Sequence, residues 1–249
     1  MSIGEFADST AVLEAAGLEK RFHRGPELVH ALRDIAFSIR AGEVVGLIGP
    51  SGSGKTTLLH VICGWEQPDA GTIRVRGATV RSAAALSWRE VAIVPQDLAL
   101  LEELSVGENV TLPLRLSRAE APAYEHAVAL LEELGLAELV PRVPIEASLG
   151  EQQRAALARA VVARPALLLA DEPTAHQDER WTKGVMRAIS AAAAEGTACL
   201  VATHSQEAMP YLDRVLVMND GGLVETAVPS SQSDALDERF GQNRPSRSL

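Results

Sequence analysis

The residues best suited to chemistry form a glycine-rich segment, Gly49-Pro50-Ser51-Gly52-Ser53-Gly54-Lys55-Thr56. The apolar run 44–48 before it predicts a buried strand, and residues 57–63 after it predict a helix that ends at Gly64. A strand, a glycine-rich loop and a helix in this order are the context in which such spacing binds phosphate groups. The glycines let backbone N–H groups close around a polyphosphate, and the helix N-terminus adds a positive dipole. The segment therefore predicts a phosphate-binding loop.

Side chains at the end of this loop are suited to the rest of a nucleotide complex. Lys55 is long enough to reach the β- and γ-phosphates, and the Thr56 hydroxyl can bind Mg²⁺. Thr57, the next residue, belongs to the same predicted site. Together with the loop, these residues predict that the chain binds ATP or GTP.

Two adjacent carboxylates, Asp171 and Glu172, follow the apolar run 166–170. In a protein with a phosphate-binding loop, an acid at the end of such a strand holds Mg²⁺, which assigns that role to Asp171. Glu172 lies one residue further on and points to the other side of the strand end, where it can polarise an attacking water molecule. The pair therefore predicts hydrolysis of the bound nucleotide.

The composition restricts the class of protein. The chain has 249 residues, of which 47% are hydrophobic, enough for one large domain or two small ones. A formal net charge of −10 argues against a nucleic-acid partner. Cys63 falls in a predicted helix and Cys199 in a predicted strand, which argues against a structural disulfide and for a reducing compartment. No charge-free window reaches about 18 apolar residues and no secretory signal is visible, so we expect another chain to supply any membrane span.

The remaining hydrophobic pattern predicts a nucleotide-binding α/β core with additions. Residues 11–18 and 31–39 predict strands on either side of a polar turn, and residues 71–77 alternate as an antiparallel strand does. Apolar residues at helical spacing predict that residues 119–140 are helical and form part of an insertion in the core. Short apolar runs typical of a buried parallel sheet occur at residues 91–94, 166–170, 199–203 and 214–218.

A third motif, Ala147-Ser148-Leu149-Gly150-Glu151-Gln152-Gln153-Arg154, lies between the loop and the acidic pair. It is similar to Leu-Ser-Gly-Gly-Glu-x-Gln-Arg, so the chain resembles the ATP-binding subunits of ATP-binding-cassette transporters. The resemblance implies that Ser148 and Gly150 touch the γ-phosphate. Ser148 and Glu151 also form the pattern of a capping box at the start of a helix over residues 151–163. Both roles are compatible, because a helix N-terminus aimed at a phosphate attracts it.

Four further residues match this family in its order along the chain. Gln96 matches the glutamine that senses Mg²⁺ and water and links the site to the membrane partner. Asp178 matches the acid of the loop after Pro173-Thr174, which itself follows the acidic pair. His204 matches the switch histidine that contacts the γ-phosphate, and Phe22 matches the aromatic residue that stacks on adenine. The resemblance spans residues 11–226.

The chain also departs from the family pattern. Ala147 replaces the usual leucine of the signature, Leu149 replaces its first glycine, and Gln177 replaces a leucine in the loop before Asp178. In this family, ATP lies between the phosphate loop of one chain and the signature of another. A bulky Leu149 in a segment that must approach a phosphate closely is therefore expected to weaken the site on the partner chain.

The resemblance implies a P-loop NTPase α/β fold with a mixed sheet, an antiparallel β subdomain and a helical insertion subdomain. It implies that the chain binds ATP and Mg²⁺ and hydrolyses ATP to energise a separately encoded transmembrane permease subunit. It further implies a second ATP-binding subunit, in a homodimer or a heterodimer, and a cytoplasmic location, peripheral on the inner face of the cell membrane.

The expected organisation is an N-terminal tail at residues 1–10, an ATP-binding domain at residues 11–226 and a disordered tail at residues 227–249. The helical insertion occupies approximately residues 98–163. The segment 104–114 is similar to the branch that serves lipoprotein release, macrolide or peptide export and cell-division permeases.

Other interpretations stay open from the sequence. The departures at Leu149 and Gln177 are compatible with a regulatory cassette that hydrolyses ATP weakly. A soluble cassette ATPase acting on nucleic acid is the other alternative, although such proteins carry a long coiled coil or zinc module between Lys55 and Asp171. A GTPase should show an Asn-Lys-x-Asp element, which this sequence lacks, and a small-molecule kinase leaves the signature unexplained.

Overall fold

The structure is a computed structural model that describes residues 11–227. The predicted tail at residues 1–10, and residues 228–249 of the predicted C-terminal tail, lie outside the described residues. The strands are β1 (Ala11–Arg24), β2 (Glu27–Arg40), β3 (Val44–Ile48), β4 (Ala70–Val75), β5 (Ala78–Thr79), β6 (Val91–Val94), β7 (Leu167–Asp171), β8 (Ala198–Ala202), β9 (Arg214–Asn219) and β10 (Gly222–Ala227).

Helices fill the connections between these strands. The α-helices are α1 (Lys55–Ile62), α2 (Val106–Leu116), α3 (Ala121–Glu133), α4 (Leu149–Val161) and α5 (Glu179–Ala194). Short 3₁₀ helices occur at Ala83–Ala85, Ala137–Leu139, Pro144–Glu146 and Gln206–Tyr211. Within residues 11–227, none of the helices combines the length and apolar character needed to cross a membrane.

The larger sheet has six strands in the order β10-β9-β3-β8-β7-β6. Strands β9, β3, β8, β7 and β6 are parallel to one another, and β10 pairs antiparallel with β9 at one edge. Every residue of β3, β7 and β8 is buried, as expected for central strands covered on both faces. Because parallel strands end at the same edge, the loops after β3, β8, β7 and β6 lie side by side.

Both faces of this sheet are covered by hydrophobic cores. Val45 and Leu47 of β3 pack into the core shared with α1 and the smaller sheet. Val44 and Ile48 pack into the core shared with α2, α3, α4 and α5. This separation follows from the strand geometry, in which successive side chains point to opposite faces. The sheet is therefore the middle of three layers.

The smaller sheet is antiparallel, with strand order β2-β1-β4-β5. Its first two strands are longer than the predicted strands 11–18 and 31–39, because their polar outer halves continue the pairing as far as Arg24 and Glu27. The register between β1 and β2 shifts between Ala15 and Leu18, around Gly17, whose φ is +62°. A residue without a Cβ tolerates that left-handed conformation at a bulge. The predicted fold class, with its mixed sheet and antiparallel subdomain, is confirmed.

The helical elements differ in detail from the prediction. The predicted helix over 119–140 is α3 followed by a break at Gly135, whose φ is +66°. Helix α4 begins two residues earlier than predicted, at Leu149, because Ser148 caps it. The sequence patterns above did not identify α5, whose buried face contains small and polar residues such as Ala188 and Thr182. The boundaries 11–226 and 98–163 stay predictions.

Cys63 and Cys199 are both buried, and neither forms a disulfide. Burial raises the pKa of the Cys63 thiol to about 11 and that of Cys199 to about 12, because the thiolate is poorly solvated in the core. Both thiols therefore stay protonated at neutral pH and act as small apolar side chains.

Candidate active site

The glycine-rich loop lies between the end of β3 and the start of α1. Gly54 is the N-cap of α1 and has a φ of +106°, a conformation that favours glycine. A Cβ added at Gly54 would overlap the backbone carbonyl oxygen of Ala31, so the chain here is packed too closely for another residue. The Gly54 carbonyl accepts the first helical hydrogen bond, from Leu58 N–H at 2.8 Å. The loop is therefore held in one conformation at the helix N-terminus.

Lys55 folds back across this loop. Its Nζ donates to the carbonyl oxygens of Gly49 at 2.8 Å and Pro50 at 3.1 Å. Within residues 11–227, the buried Ser53 hydroxyl has no hydrogen-bond partner, although buried hydroxyls normally have one. An ammonium and an unsatisfied hydroxyl in a loop at a helix N-terminus are a chemically suitable cradle for an anion.

Thr56 and Asp171 meet beside the loop. The Thr56 Oγ1 donates to Asp171 Oδ2 at 2.7 Å, although the two residues are 115 positions apart. Asp171 ends β7 and is only 3% exposed, so the carboxylate is enclosed by the sheet edge. Gln96 follows β6, the strand next to β7, and lines the same cleft. A hydroxyl, an amide oxygen and a carboxylate are the oxygen ligands that Mg²⁺ prefers, so these three residues fit that ion.

Glu172 and His204 form a second pair. His204 Nδ1 lies 2.9 Å from Glu172 Oε1. The backbone of Glu172 is left-handed, with a φ of +51°, and is held by its N–H, which donates to the Ala202 carbonyl at 2.8 Å. The Gln153 side chain donates to the Glu172 carbonyl at 2.7 Å. The side chain of His204 is 80% exposed and that of Glu172 is 20% exposed, so a solvent molecule can reach the pair.

A cleft of about 910 Å³ joins these groups. Its volume lies within the range that holds nucleotide-sized ligands, roughly 300–1,000 Å³. The predicted site residues that line it are Phe22, Gly49, Pro50, Ser51, Gly52, Gly54, Lys55, Thr56, Thr57, Gln96, Asp171, Glu172 and His204. Phe22 is 37% exposed, and Lys20 Nζ lies 5.0 Å from its ring centroid. The structure therefore brings together residues from both ends of the chain.

Four predicted site residues do not line this cleft: Ser53, whose hydroxyl is buried within the loop, and Ser148, Gly150 and Asp178, which lie elsewhere in the chain. Ser148 caps α4, and its N–H and Oγ donate to Glu151 Oε2 at 2.8 and 2.7 Å. These bonds hold the pKa of Glu151 below its usual value, because they stabilise the carboxylate. Asp178 caps α5, accepting from Trp181 N–H at 2.9 Å. The capping box predicted at Ser148 is confirmed.

Comparison with known proteins decides the family. The model of the family described as ABC transporter matches residues 32–175, more than half of the chain. The chain belongs to the ABC transporter family. The matched range includes the phosphate loop, Gln96, the signature and the acidic pair.

Individual relatives agree with this assignment. The lipoprotein-releasing system ATP-binding protein LolD of Maricaulis maris is 41% identical over 222 residues, which cover 86% of this chain and 97% of that protein. The macrolide export ATP-binding/permease protein MacB of Chlorobium luteolum is 35% identical over 223 residues, covering 88% of this chain but 34% of that protein. A solved dimeric structure of the ATP-binding cassette MJ0796 bound to ADP and Pi matches with a TM-score of 0.81 and 26% identity, covering 88% of this chain and 100% of that one.

This cassette is an ATP-binding subunit that hydrolyses ATP to energise transport through a separate membrane permease. The family, fold and function predicted from the sequence are therefore confirmed, including the similarity to the lipoprotein-release and macrolide-export branch. The nucleic-acid interpretation is not favoured, because the relatives are subunits of transporters.

The cleft of the cassette also contains residues that the sequence did not single out: Glu27, Leu28, Val29, His30, Ala31, Arg33, Asp220 and Gly221. Val29 pairs with Phe22 across the β1–β2 hairpin, so the predicted turn could have identified it. Gly221 lies in the β9–β10 turn, and its N–H donates to the Ser53 carbonyl at 3.0 Å. No local pattern indicates the hydrogen bond between Gly221 and Ser53, because it depends on which strand neighbours β3.

Proposed function

We propose that the cleft is this chain's half of a composite ATPase site, with each side chain in the role expected for it. The supporting observation is the position of the groups along the sheet edge. The phosphate loop follows β3, His204 follows β8, Asp171 ends β7 and Gln96 follows β6, and these four strands are neighbours in that order. Ligands of open α/β sheets bind outside the carboxyl ends of the strands, which is where this cleft lies.

In this proposal the loop and Lys55 bind the phosphates of ATP. The ammonium of Lys55 exchanges the carbonyl oxygens of Gly49 and Pro50 for β- and γ-phosphate oxygens, which are stronger acceptors because they are charged. The backbone N–H groups at the start of α1 supply further donors. Phe22, which also lines the cleft, stacks on adenine.

Thr56, Asp171 and Gln96 are the residues that would hold Mg²⁺. When bound, the ion neutralises charge on the β- and γ-phosphate oxygens. The direct bond from Thr56 to Asp171 fixes the two oxygen ligands next to each other before any ligand arrives. This arrangement reduces the entropy lost when the side chains become ordered around the complex.

Glu172 is proposed as the residue that polarises the attacking water. Its carboxylate is partly exposed and is held by His204, while its backbone is fixed by Ala202 and Gln153. A fixed carboxylate accepts the proton of water as the water attacks the γ-phosphate. His204 keeps the carboxylate in place and donates toward the γ-phosphate.

The second half of the composite site comes from another ATP-binding subunit. Ser148, Gly150 and Asp178 lie outside this chain's cleft, which is expected if they serve ATP held by a partner. The cassette MJ0796 is dimeric in its ADP-bound structure. We propose a head-to-tail pair, formed by two copies of this chain or by this chain and a related one.

The permease and location are proposed from the relatives. LolD belongs to a lipoprotein-releasing system, and MacB combines an ATP-binding part and a permease part for macrolide export. We infer that this cassette serves a permease of that type and lies on the cytoplasmic face of the membrane, bound through that permease.

The first experiment compares ATPase activity and gel filtration in Mg-ATP for the wild type and Glu172→Gln. Loss of the general base should lower turnover by roughly 10²–10⁴-fold while ATP binding is kept, so the variant should accumulate as an ATP-bound dimer. Glu179→Gln is the matched control, because Glu179 pairs with Lys183 on the exposed side of α5. Undiminished turnover in Glu172→Gln would remove Glu172 from this role. An ATP-bound variant that stays monomeric would favour a heterodimer.

A further inference from the structure

Gln177 stands where the ABC transporter family usually has leucine. Its side chain makes contacts that leucine cannot make. Its Nε2 donates to the Gly150 carbonyl at 2.8 Å, and its Oε1 accepts from Arg154 Nη1 at 2.9 Å. Both partners belong to the signature motif at the start of α4. Since a leucine side chain has neither donor nor acceptor, a leucine at this position could not make this polar connection.

Arg154 determines the orientation of the Gln177 amide. Its Nε donates to the Leu134 carbonyl at 2.9 Å, and its guanidinium carbon lies 3.9 Å from the Trp181 ring centroid. Arg154 is only 4% exposed, so it is held on both sides. A guanidinium can only donate, which requires the Gln177 oxygen to face it and leaves the nitrogen for Gly150.

Gly150 packs closely against the same loop. A Cβ added there would lie 3.1 Å from the His176 carbonyl oxygen and 3.3 Å from Gln177 Oε1. The first turn of α4 therefore packs closely against His176 and Gln177, and a hydrogen bond from Gln177 joins them. Ser148 and Leu149, which precede Gly150, are exposed.

Gln177 also has a path to this chain's own cleft, but it is longer. Its Nε2 lies 3.3 Å from Gln153 Oε1, and Gln153 in turn donates to the Glu172 carbonyl at 2.7 Å. The direct bond to Gly150 is shorter and involves no intermediate side chain. The contact with Gly150 is thus the stronger of the two.

We propose that Gln177 is a positioning residue that holds the signature motif of its own chain in place for ATP bound by the partner chain. This inference rests on the composite site proposed above. Ordering of the signature by Gln177 reduces the motion of Ser148 and Gly150, so their donors are already aimed when the two chains close. The effect of Gln177 therefore appears at the opposite site of the dimer.

The test uses mixed dimers in which only one site is active. Glu172→Gln serves as the silent chain, because it binds ATP without hydrolysing it in the function proposed above. Chains are mixed before Mg-ATP is added, with the silent chain in excess, and single-turnover hydrolysis is measured. One mixture pairs wild type with the silent chain that also carries Gln177→Leu, so the altered signature serves the active site. The reciprocal mixture pairs Gln177→Leu with the unaltered silent chain.

The first mixture should be about fivefold slower than wild type with the unaltered silent chain, as expected when one hydrogen bond is lost. The reciprocal mixture should match wild type, because its active site uses an intact signature. The proposal would be overturned by any of three results: slowing of the reciprocal mixture alone, equal slowing of both mixtures, or slowing of neither. Gln177→Glu, which keeps the acceptor for Arg154 and removes the donor to Gly150, should repeat the result without leaving Arg154 unpaired.

Amide hydrogen exchange on the isolated chain provides a readout that does not depend on activity. Without nucleotide, the amides of residues 150–155 should exchange about fivefold faster in Gln177→Leu and Gln177→Glu than in the wild type, because one anchoring hydrogen bond is lost. Gln67→Leu, at an exposed position in the loop after α1, is the matched control and should leave exchange unchanged. Unchanged exchange in both Gln177 variants would overturn the proposal. Absence of hydrolysis in every mixture, with exchange raised as expected, would instead count against the proposed composite ATPase site.

Discussion

The cleft and the signature face, defined as residues 147–154, are stabilised in different ways. The cleft is assembled from the ends of four neighbouring strands whose backbones are fixed by the sheet. The signature face is one helix N-terminus, with Leu149 48% exposed, and side-chain hydrogen bonds from Gln177 to Gly150 and from Arg154 to Gln177 hold it in place. From this difference we expect the cleft to bind nucleotide by itself, and the signature face to act only when a second chain approaches it.

The strongest test of this comparison removes the ammonium group of Lys55 from the cleft. Lys55→Ala should weaken ATP binding at least about 100-fold, because a charge-assisted contact to the phosphates is lost. Binding is measured on the isolated chain by equilibrium titration with a fluorescent ATP analogue. Lys183→Ala, which removes an exposed ammonium paired with Glu179 on α5, should bind as the wild type does. Tight binding by Lys55→Ala would mean that the phosphate loop has been assigned wrongly.

A smaller effect on ATP binding is expected from Phe22, which also lines the cleft. Phe22→Ala should raise the ATP dissociation constant about tenfold, since stacking of a base on an aromatic ring contributes roughly 1–3 kcal/mol. Phe22→Tyr keeps the ring and should restore binding close to the wild-type value. Equal affinities for all three proteins would show that Phe22 packs in the hairpin without touching adenine.

The smallest expected effect is on the signature face. Leu149→Gly should leave ATP binding by the isolated chain unchanged and raise turnover about fivefold, as expected if one donor contact to phosphate is regained. Leu149→Ala separates two explanations, because it removes bulk without adding backbone freedom. Leu149 is the first residue of α4 and lies outside the positive-φ region, so alanine should raise turnover as glycine does. Unchanged turnover in both variants would show that the leucine is tolerated.

Much of the cleft could be predicted because its motifs are local. The spacing of glycines before Lys55 and the acidic pair after an apolar strand each define a short backbone conformation. The β1–β2 hairpin, in which Val29 pairs with Phe22, was only partly predicted. The outer halves of β1 and β2 are polar and therefore lack the hydrophobic pattern of a strand. The role of Gln177 could not be predicted, because the pattern of the family marks it only as a departure.

The sequence by itself determined the family of the chain and its candidate site residues, because residue type at fixed local spacing defines a phosphate loop, a capped helix and an acidic strand end. Only the tertiary structure decided which of these residues touch. The bonds from Thr56 to Asp171, from His204 to Glu172 and from Gln177 to Gly150 join residues 115, 32 and 27 positions apart. Such contacts depend on strand order and on the packing of α4 against the loop after β7, which local spacing does not specify.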